Sequence, residues 1–148
     1  MKPSRPVLIV DDNADVRMLY ERVLMSAGYT VAHASDAREA LDSIAAGLPS
    51  IVLLDVLLPG GLDGWETLET IRATEASAAL PVIMCTVKRS SEDQQRGWTL
   101  GCDGFMIKAF NPWELQTLID EVLARTPEER AAERARNLKR ATEGLEGV

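Results

Sequence analysis

The chain has 148 residues, 46% of them hydrophobic and 26% charged, with a formal net charge of −7. A chain of that length buries roughly 70% of the surface it exposes when unfolded, which is room for one full core and not for two. The acidic balance argues against an electrostatic nucleic-acid surface, which needs clustered Lys and Arg, and no apolar run approaches the roughly 20 residues that span a bilayer, so neither DNA nor membrane is an expected partner.

The opening MKPSRPVLIVDD puts a short apolar run, Pro6–Val10, directly before two acids. It is too short for a secretory h-region, so the expected compartment is the cytoplasm. A helix follows from about Asn13 to Ala27, with Val16, Leu19, Tyr20, Val23 and Leu24 on one stripe and Gly28 as its stop. Thr30–Ala34 is a second strand carrying the lone His33, which receives no role. Asp36 and Glu39 open a second helix, Ala37–Ala46, as a capping box in which the Glu39 side chain reaches back, and Gly47 ends it. Ile51–Leu54 is the third strand, followed by a helix from about Gly64 to Ala73 with Trp65, Leu68 and Ile71 inward.

Pro81–Cys85 reads as the fourth strand. The fourth helix, Ser91–Leu100, stops at Gly101 and is weakly apolar, which makes it the element expected to move most. Gly104–Ile107 is the fifth strand. Asn111 as cap, Pro112 at the first helical position and Glu114 then start a fifth helix with Leu115, Leu118, Ile119 and Val122 on its apolar face. Beyond Ala124 the composition turns to Ala, Glu and Arg, with Thr126 and Pro127 as another cap and first residue. The expected organisation is therefore a globular domain over 1–125 and a charged helical extension over 126–148, either solvated or frayed, or else a dimer-forming or partner-binding helix. With no recognisable output domain in the residues after Arg125, the chain is expected to act as a single-domain regulator or relay. Cys85 and Cys102 lack companions at metal-ligand spacing and read as reduced packing residues.

Short β-branched strands alternating with amphipathic helices imply parallel βαβ units, with right-handed crossovers and helices on both faces of one sheet. Ligands of such sheets bind beyond the carboxyl ends of the strands. There the chain places Asp11 and Asp12 after the first strand, Asp55 after the third, Thr86 after the fourth and Lys108 after the fifth. If the first and third strands are neighbours, three carboxylates converge, and their repulsion calls for a cation. Hard oxygen ligands suit Mg²⁺, which completes its shell with water and phosphate oxygens. A metal, an ammonium and a hydroxyl around one carboxylate form a phosphoryl-transfer site, with phosphohistidine on another protein or a small acyl phosphate as donor.

Taken singly, these residues have ordinary readings. Asp12 or Asn13 could cap the first helix, Thr86 could bond locally, Lys108 could be solvated and Phe105 could be core. The signal is their coincidence at four strand ends.

Together VLIVDDN, IVLLDVLLPGGLDGWE, LPVIMCT and GFMIKAFNPWEL resemble the receiver domains of two-component response regulators, over about Pro6 to Arg125. The resemblance implies a flavodoxin-like, doubly wound (βα)5 three-layer sandwich of class α/β, its parallel sheet ordered 2-1-3-4-5. It implies Asp55 as phosphoacceptor, Asp12 as a direct Mg²⁺ ligand, Asp11 as a ligand mainly through water, and the backbone carbonyl of Leu57 as a further ligand. Lys108 would pair with a phosphoryl oxygen, Thr86 would move to bond the phosphoryl group, and Phe105 would turn inward behind it. That movement would reshape the face of helix four, strand five and helix five. The implied partners are a histidine kinase or a histidine phosphotransfer protein, and a downstream protein target. A homodimer is also open.

The chain departs from the family pattern at several places. Ala109 replaces the usual proline after the lysine, and since a cis bond before a non-proline residue costs about 2.5–4 kcal/mol, a trans and displaced loop is expected. Gly60 and Gly61 lengthen the loop after Asp55 and tolerate positive φ. Val87 stands where a small residue is usual and is expected to narrow access to Asp55, with Lys88 adding charge at the same rim. Two rival readings are a phosphorylation-independent adaptor on this fold and an aspartate-nucleophile phosphatase. The latter class spaces its two acids two positions apart, whereas Asp11 and Asp12 are adjacent. A flavodoxin-like FMN carrier is a third.

Overall fold

The strand runs are so apolar because each lies between two helical layers. In a computed structural model, which describes residues 2–146, β1 (Val7–Val10), β3 (Ile51–Leu54) and β4 (Val82–Thr86) are buried along their whole length. With β2 (Val31–Ala34) and β5 (Gly104–Ile107) they form one parallel sheet in the order β2-β1-β3-β4-β5. The register pairs Val7 with Val31 and Ile51, and Thr86 with Ile107. This is the expected flavodoxin-like fold.

Side chains alternate along each strand, so the sheet sends two separate cores outward. On one face Leu8, Val10, Val52, Leu54, Val82 and Met84 meet α2 (Ala37–Ala46) and α3 (Gly64–Ala73). On the other Val7, Ile9, Ile51, Leu53, Ile83 and Cys85 meet α1 (Ala14–Ser26) and α5 (Pro112–Ala124). Each fully buried side chain of this size contributes about 1.5–3 kcal/mol relative to exposure, so the two cores, not the helix caps, carry most of the stability. Leu19 is a correction to the expected α1 stripe: it is half exposed, and Tyr20, Val23 and Leu24 carry the buried face. Cys85 and Cys102 are both free and buried.

The caps set where the helices begin. Asn13, not Asp12, caps α1, its side chain accepting from the amides of Asp15 and Val16 at 2.9 and 3.2 Å. Asp36 caps α2 by accepting from the Glu39 amide at 2.8 Å, but the Glu39 carboxylate reaches to Ser35, backbone and hydroxyl, instead of closing the expected box. A complete capping box sits on α3, between Asp63 and Glu66. A short 3₁₀ turn, Glu75–Ser77, precedes β4 and was not expected from the sequence.

The last two helices are α4 (Ser91–Leu100) and α6 (Pro127–Glu146). Only Arg125 and Thr126 separate α5 from α6, and Thr126 exchanges hydrogen bonds with Glu129 at 3.0 and 3.1 Å to start the helix. The extension is neither solvated on all sides nor frayed over this range: α6 packs along α4. Residues 147–148 lie outside the described residues.

Candidate functional site

The acids and the lysine meet at the carboxyl edge of the sheet because β1, β3 and β5 all end there. Oxygen atoms of Asp11, Asp12 and Asp55 lie within 4.8 Å of one another, so the acid trio expected from the sequence does converge. Lys108, one residue past β5, bridges two of them: its Nζ donates to Asp11 Oδ2 at 2.5 Å and to Asp55 Oδ2 at 2.9 Å. Asp11 and Asp55 are buried, at 3% and 6% exposure, whereas Asp12 faces solvent. Among the described residues Asp12 makes no side-chain hydrogen bond, and because Asn13 caps α1 its carboxylate is free to take a ligand.

Burial raises the Asp55 carboxyl above its ordinary value, and the Asp11 charge adds to this. The hydrogen bond and charge of Lys108 only partly oppose it. Burial would lower Lys108, but the hydrogen bonds and charges of Asp11 and Asp55 outweigh it and hold the ammonium above its usual range. The pocket is thus an acid cluster held in check by one ammonium. Hard carboxylate oxygens within reach of one another, one of them unpartnered, fit a divalent cation of the Mg²⁺ type.

The other expected residues are placed as follows. The Leu57 amide donates to Asp55 Oδ1 at 3.3 Å, and the Leu57 side chain is exposed. Thr86 closes β4 fully buried, and its Oγ1 accepts from the Lys88 amide at 3.3 Å; among the described residues no hydrogen bond joins it to Asp55. Phe105 is half-buried on β5 against α4, where a Cβ on Gly97 would come 3.0 Å from its ring. Val87 stands exposed just beyond Thr86. His33 lies away from this edge, 3.0 Å from Glu21. Gly60 and Gly61 both have positive φ, 92° and 94°, so the lengthened loop uses the freedom that glycine supplies.

Ala109 requires a correction. The Lys108–Ala109 bond is cis, not trans. The residues on either side are held by distant contacts, Lys108 by two carboxylates and Phe110 by stacking on Tyr20 at 5.6 Å, so the local preference of an alanine does not decide this loop.

Two contributors escaped the sequence reading. Arg17, one turn into α1, donates from Nη1 to the Asp11 carbonyl at 2.5 Å and so fixes the backbone that carries the acids. Gly64 lets α3 start directly against Asp55: a Cβ there would fall 2.1 Å from the Asp55 carbonyl oxygen. A glycine following a capping aspartate was the only available signal, and it reads equally well as an ordinary helix start.

A doubly wound sheet with an acid trio and a lysine at its switch edge defines a class, the open α/β proteins whose ligand sites lie beyond the carboxyl ends of their strands. The profile of the response regulator receiver domain matches residues 7–120, and the chain belongs to that family. It is 38% identical over 126 residues to "Probable transcriptional regulator ycf27" of Guillardia theta, covering 85% of this chain and 48% of that one. It is 34% identical to response regulator Rre1 of Synechocystis, covering 80% of this chain and 52% of that one. The chain thus spans about half the length of the curated relatives it matches. Among solved structures, the chemotaxis protein CheY4 of Vibrio cholerae superposes with a TM-score of 0.75 at 32% identity, over 81% of this chain and 99% of that one.

Proposed function

We propose that the chain is a phosphoacceptor switch of a two-component phosphorelay, in which Asp55 takes a phosphoryl group in a Mg²⁺-dependent reaction. The observation that carries this reading is the Lys108 ammonium bridging Asp11 and Asp55 at the rim where the acid trio converges. The donor is a phosphohistidine on a histidine kinase or a histidine phosphotransfer protein. An Asp55 carboxylate oxygen attacks phosphorus in line, the P–N bond breaks, and its electron pair returns to the imidazole. Asp55 then carries a mixed anhydride, which water later hydrolyses.

Asp12 and Asp55, the backbone carbonyl of Leu57, and Asp11 mainly through water would hold Mg²⁺, which when bound supplies positive charge to the phosphoryl oxygens. Lys108, already beside Asp55 Oδ2, transfers one of its hydrogen bonds to a phosphoryl oxygen. Thr86 exchanges its contact with the Lys88 amide for another phosphoryl oxygen, donating its hydroxyl proton. The domain acts on no separate substrate and promotes only its own phosphorylation and dephosphorylation. Its output is a change in the face of α4, β5 and α5, with Phe105 turning inward, read by a downstream protein. Among the described residues no helix is long and apolar enough to cross a membrane. We assign the domain to the cytoplasm, where its kinase or phosphotransfer partner and its downstream target would meet it.

Mg²⁺-dependent labelling by an acyl phosphate or a phosphorylated kinase, read by mass spectrometry on the Asp55 peptide, tests the reading. Asp55→Asn is expected to abolish the acid-labile, hydroxylamine-sensitive product. Persistent labelling of that variant would move the acceptor elsewhere.

A further inference from the structure

The longest helix of the chain lies on the face through which the domain is proposed to signal. Among the described side chains of α6, the partly buried ones are Arg130, Glu133, Arg134, Asn137, Leu138, Ala141 and Thr142, a single stripe at helical spacing. The stripe runs along α4, and Glu133 and Asn137 face Gly104 and Phe105 of β5 across an open cleft. Near its start, Arg134 pairs with Asp103, an acid of 4% exposure just before β5 that also holds Arg72 and the Val82 amide. Near its end, Gln95 of α4 donates to Thr142 Oγ1 at 3.2 Å.

The two halves of this contact differ. The Arg134 half is an ion pair with a buried acid, which is costly to break because it would leave a charge uncompensated. The other half borders a solvent-open cleft of about 360 Å³, with Trp98 and Phe105 on one side and Asn137, Arg140, Ala141 and Gly144 on the other. Side chains that face such a cleft touch water where they could touch Trp98 and Phe105, so this half of α6 buries little apolar surface and is weakly held. Both elements beneath it are tied to the candidate site. The turn into α4 is joined to Thr86 by the Lys88 amide, and β5 runs directly into Lys108, which bridges Asp11 and Asp55.

We propose that α6 is an internal cover for the α4–β5–α5 face: it is anchored at Asp103, and its distal half leaves α4 when Asp55 becomes phosphorylated. The proposal rests on the phosphoacceptor reading above. A dianion on Asp55 redirects Lys108 and Thr86, shifting β5 and the start of α4 together, and the loosely packed half of α6 loses its seat. A downstream protein then competes with α6 for this face, so the unphosphorylated chain is held silent by its own helix. Coupling of this kind is reciprocal: undocking α6 must strengthen phosphoryl-mimic binding by the factor by which the mimic weakens docking.

The full-length chain tests this, with spin labels on cysteines introduced as Thr99→Cys on α4 and Lys139→Cys on α6, both solvent-facing; the native cysteines are buried. Beryllium fluoride with Mg²⁺, a mimic that adds reversibly to a carboxylate, replaces the phosphoryl donor. The expected result is a shift of the interlabel distances to longer and broader values. Leu138→Asp, with the same labels, is expected to give the long distances without the mimic and to bind the mimic several-fold more tightly. Mimic bound at Asp55 with unchanged distances would overturn the cover, as would a released α6 in Leu138→Asp with unchanged mimic affinity. Failure of the mimic to bind in the parent chain, with Asp55 unlabelled by acyl phosphate, would instead overturn the phosphoacceptor reading and the cover with it.

Discussion

Lys108 is a typical exposed-looking residue when read alone, and it acquires meaning only from the two carboxylates that hold it. The same holds for Gly64, whose missing side chain is its contribution. Gly64→Ala would drive a Cβ into the Asp55 carbonyl, 2.1 Å away, so the loop or the helix start must shift. Overpacking of this kind costs about 1–3 kcal/mol, and displacement of the Asp55 backbone should also slow labelling severalfold. Thermal unfolding and acyl-phosphate kinetics on the same variant check both effects; an unchanged rate would mean that the acceptor tolerates the shift. A second residue-scale prediction concerns Asp120 on α5. Burial would raise its carboxyl, but hydrogen bonds from the Tyr29 phenol and the Lys2 ammonium outweigh that and hold it below its ordinary value. A depressed acid stabilises the fold above its unfolded value of about 3.9, and that contribution is lost as pH falls through the lower folded value. Asp120→Asn should therefore lower the melting temperature at pH 7, by the equivalent of about 1 kcal/mol or less because the pair is partly exposed. The gap to the parent chain should close as pH falls below the folded value of Asp120, and a gap that stays constant with pH would show that packing, not charge, is lost.

At the scale of elements, the segment between β4 and α4 is expected to set access to Asp55. Val87 is exposed there, one residue past the buried Thr86, and its branched side chain stands at the rim. Val87→Ala is expected to speed both phosphorylation by small donors and spontaneous loss of the phosphoryl group, by a few-fold each; equal rates in the two proteins would remove Val87 from the account. Strand and helix positions were legible because hydrophobic period and cap chemistry agree: Asn111 with Pro112 starts α5, and Gly101 ends α4 with φ 96°. The capping residue of α1 was not decided, since Asp12 and Asn13 are both competent, and only the folded backbone shows Asn13 taking the amides. The packing of α6 was not legible either. Among the side chains described, its inward stripe has a single large apolar residue, Leu138, and is otherwise charged, polar or small, so over that range the hydrophobic period that betrays a docked helix is weak.

At the scale of the whole molecule, a metal held by the acid cluster would tie folding stability to cation concentration. Three carboxylates within 4.8 Å repel one another when ionised, and a cation bound to the native state alone stabilises it by mass action. Mg²⁺ at one hundred times its dissociation constant should add about 2.7 kcal/mol, and a domain of this size gains about 2–4 °C in melting temperature per kcal/mol. Chelator should abolish the gain and Asp12→Asn should blunt it; a melting temperature indifferent to Mg²⁺ would argue that these acids hold no metal.

The amino-acid sequence by itself determined the alternation of strands and helices, and with it the strand ends on which Asp11, Asp12, Asp55, Thr86 and Lys108 lie, because period, caps and turn residues act between near neighbours. Tertiary structure alone decided which atoms of those residues meet, that Lys108 spans two acids, that the bond after it is cis, and that α6 lies over α4. These outcomes depend on groups brought together from distant parts of the chain, where no local preference operates and the sum of long-range contacts selects the arrangement.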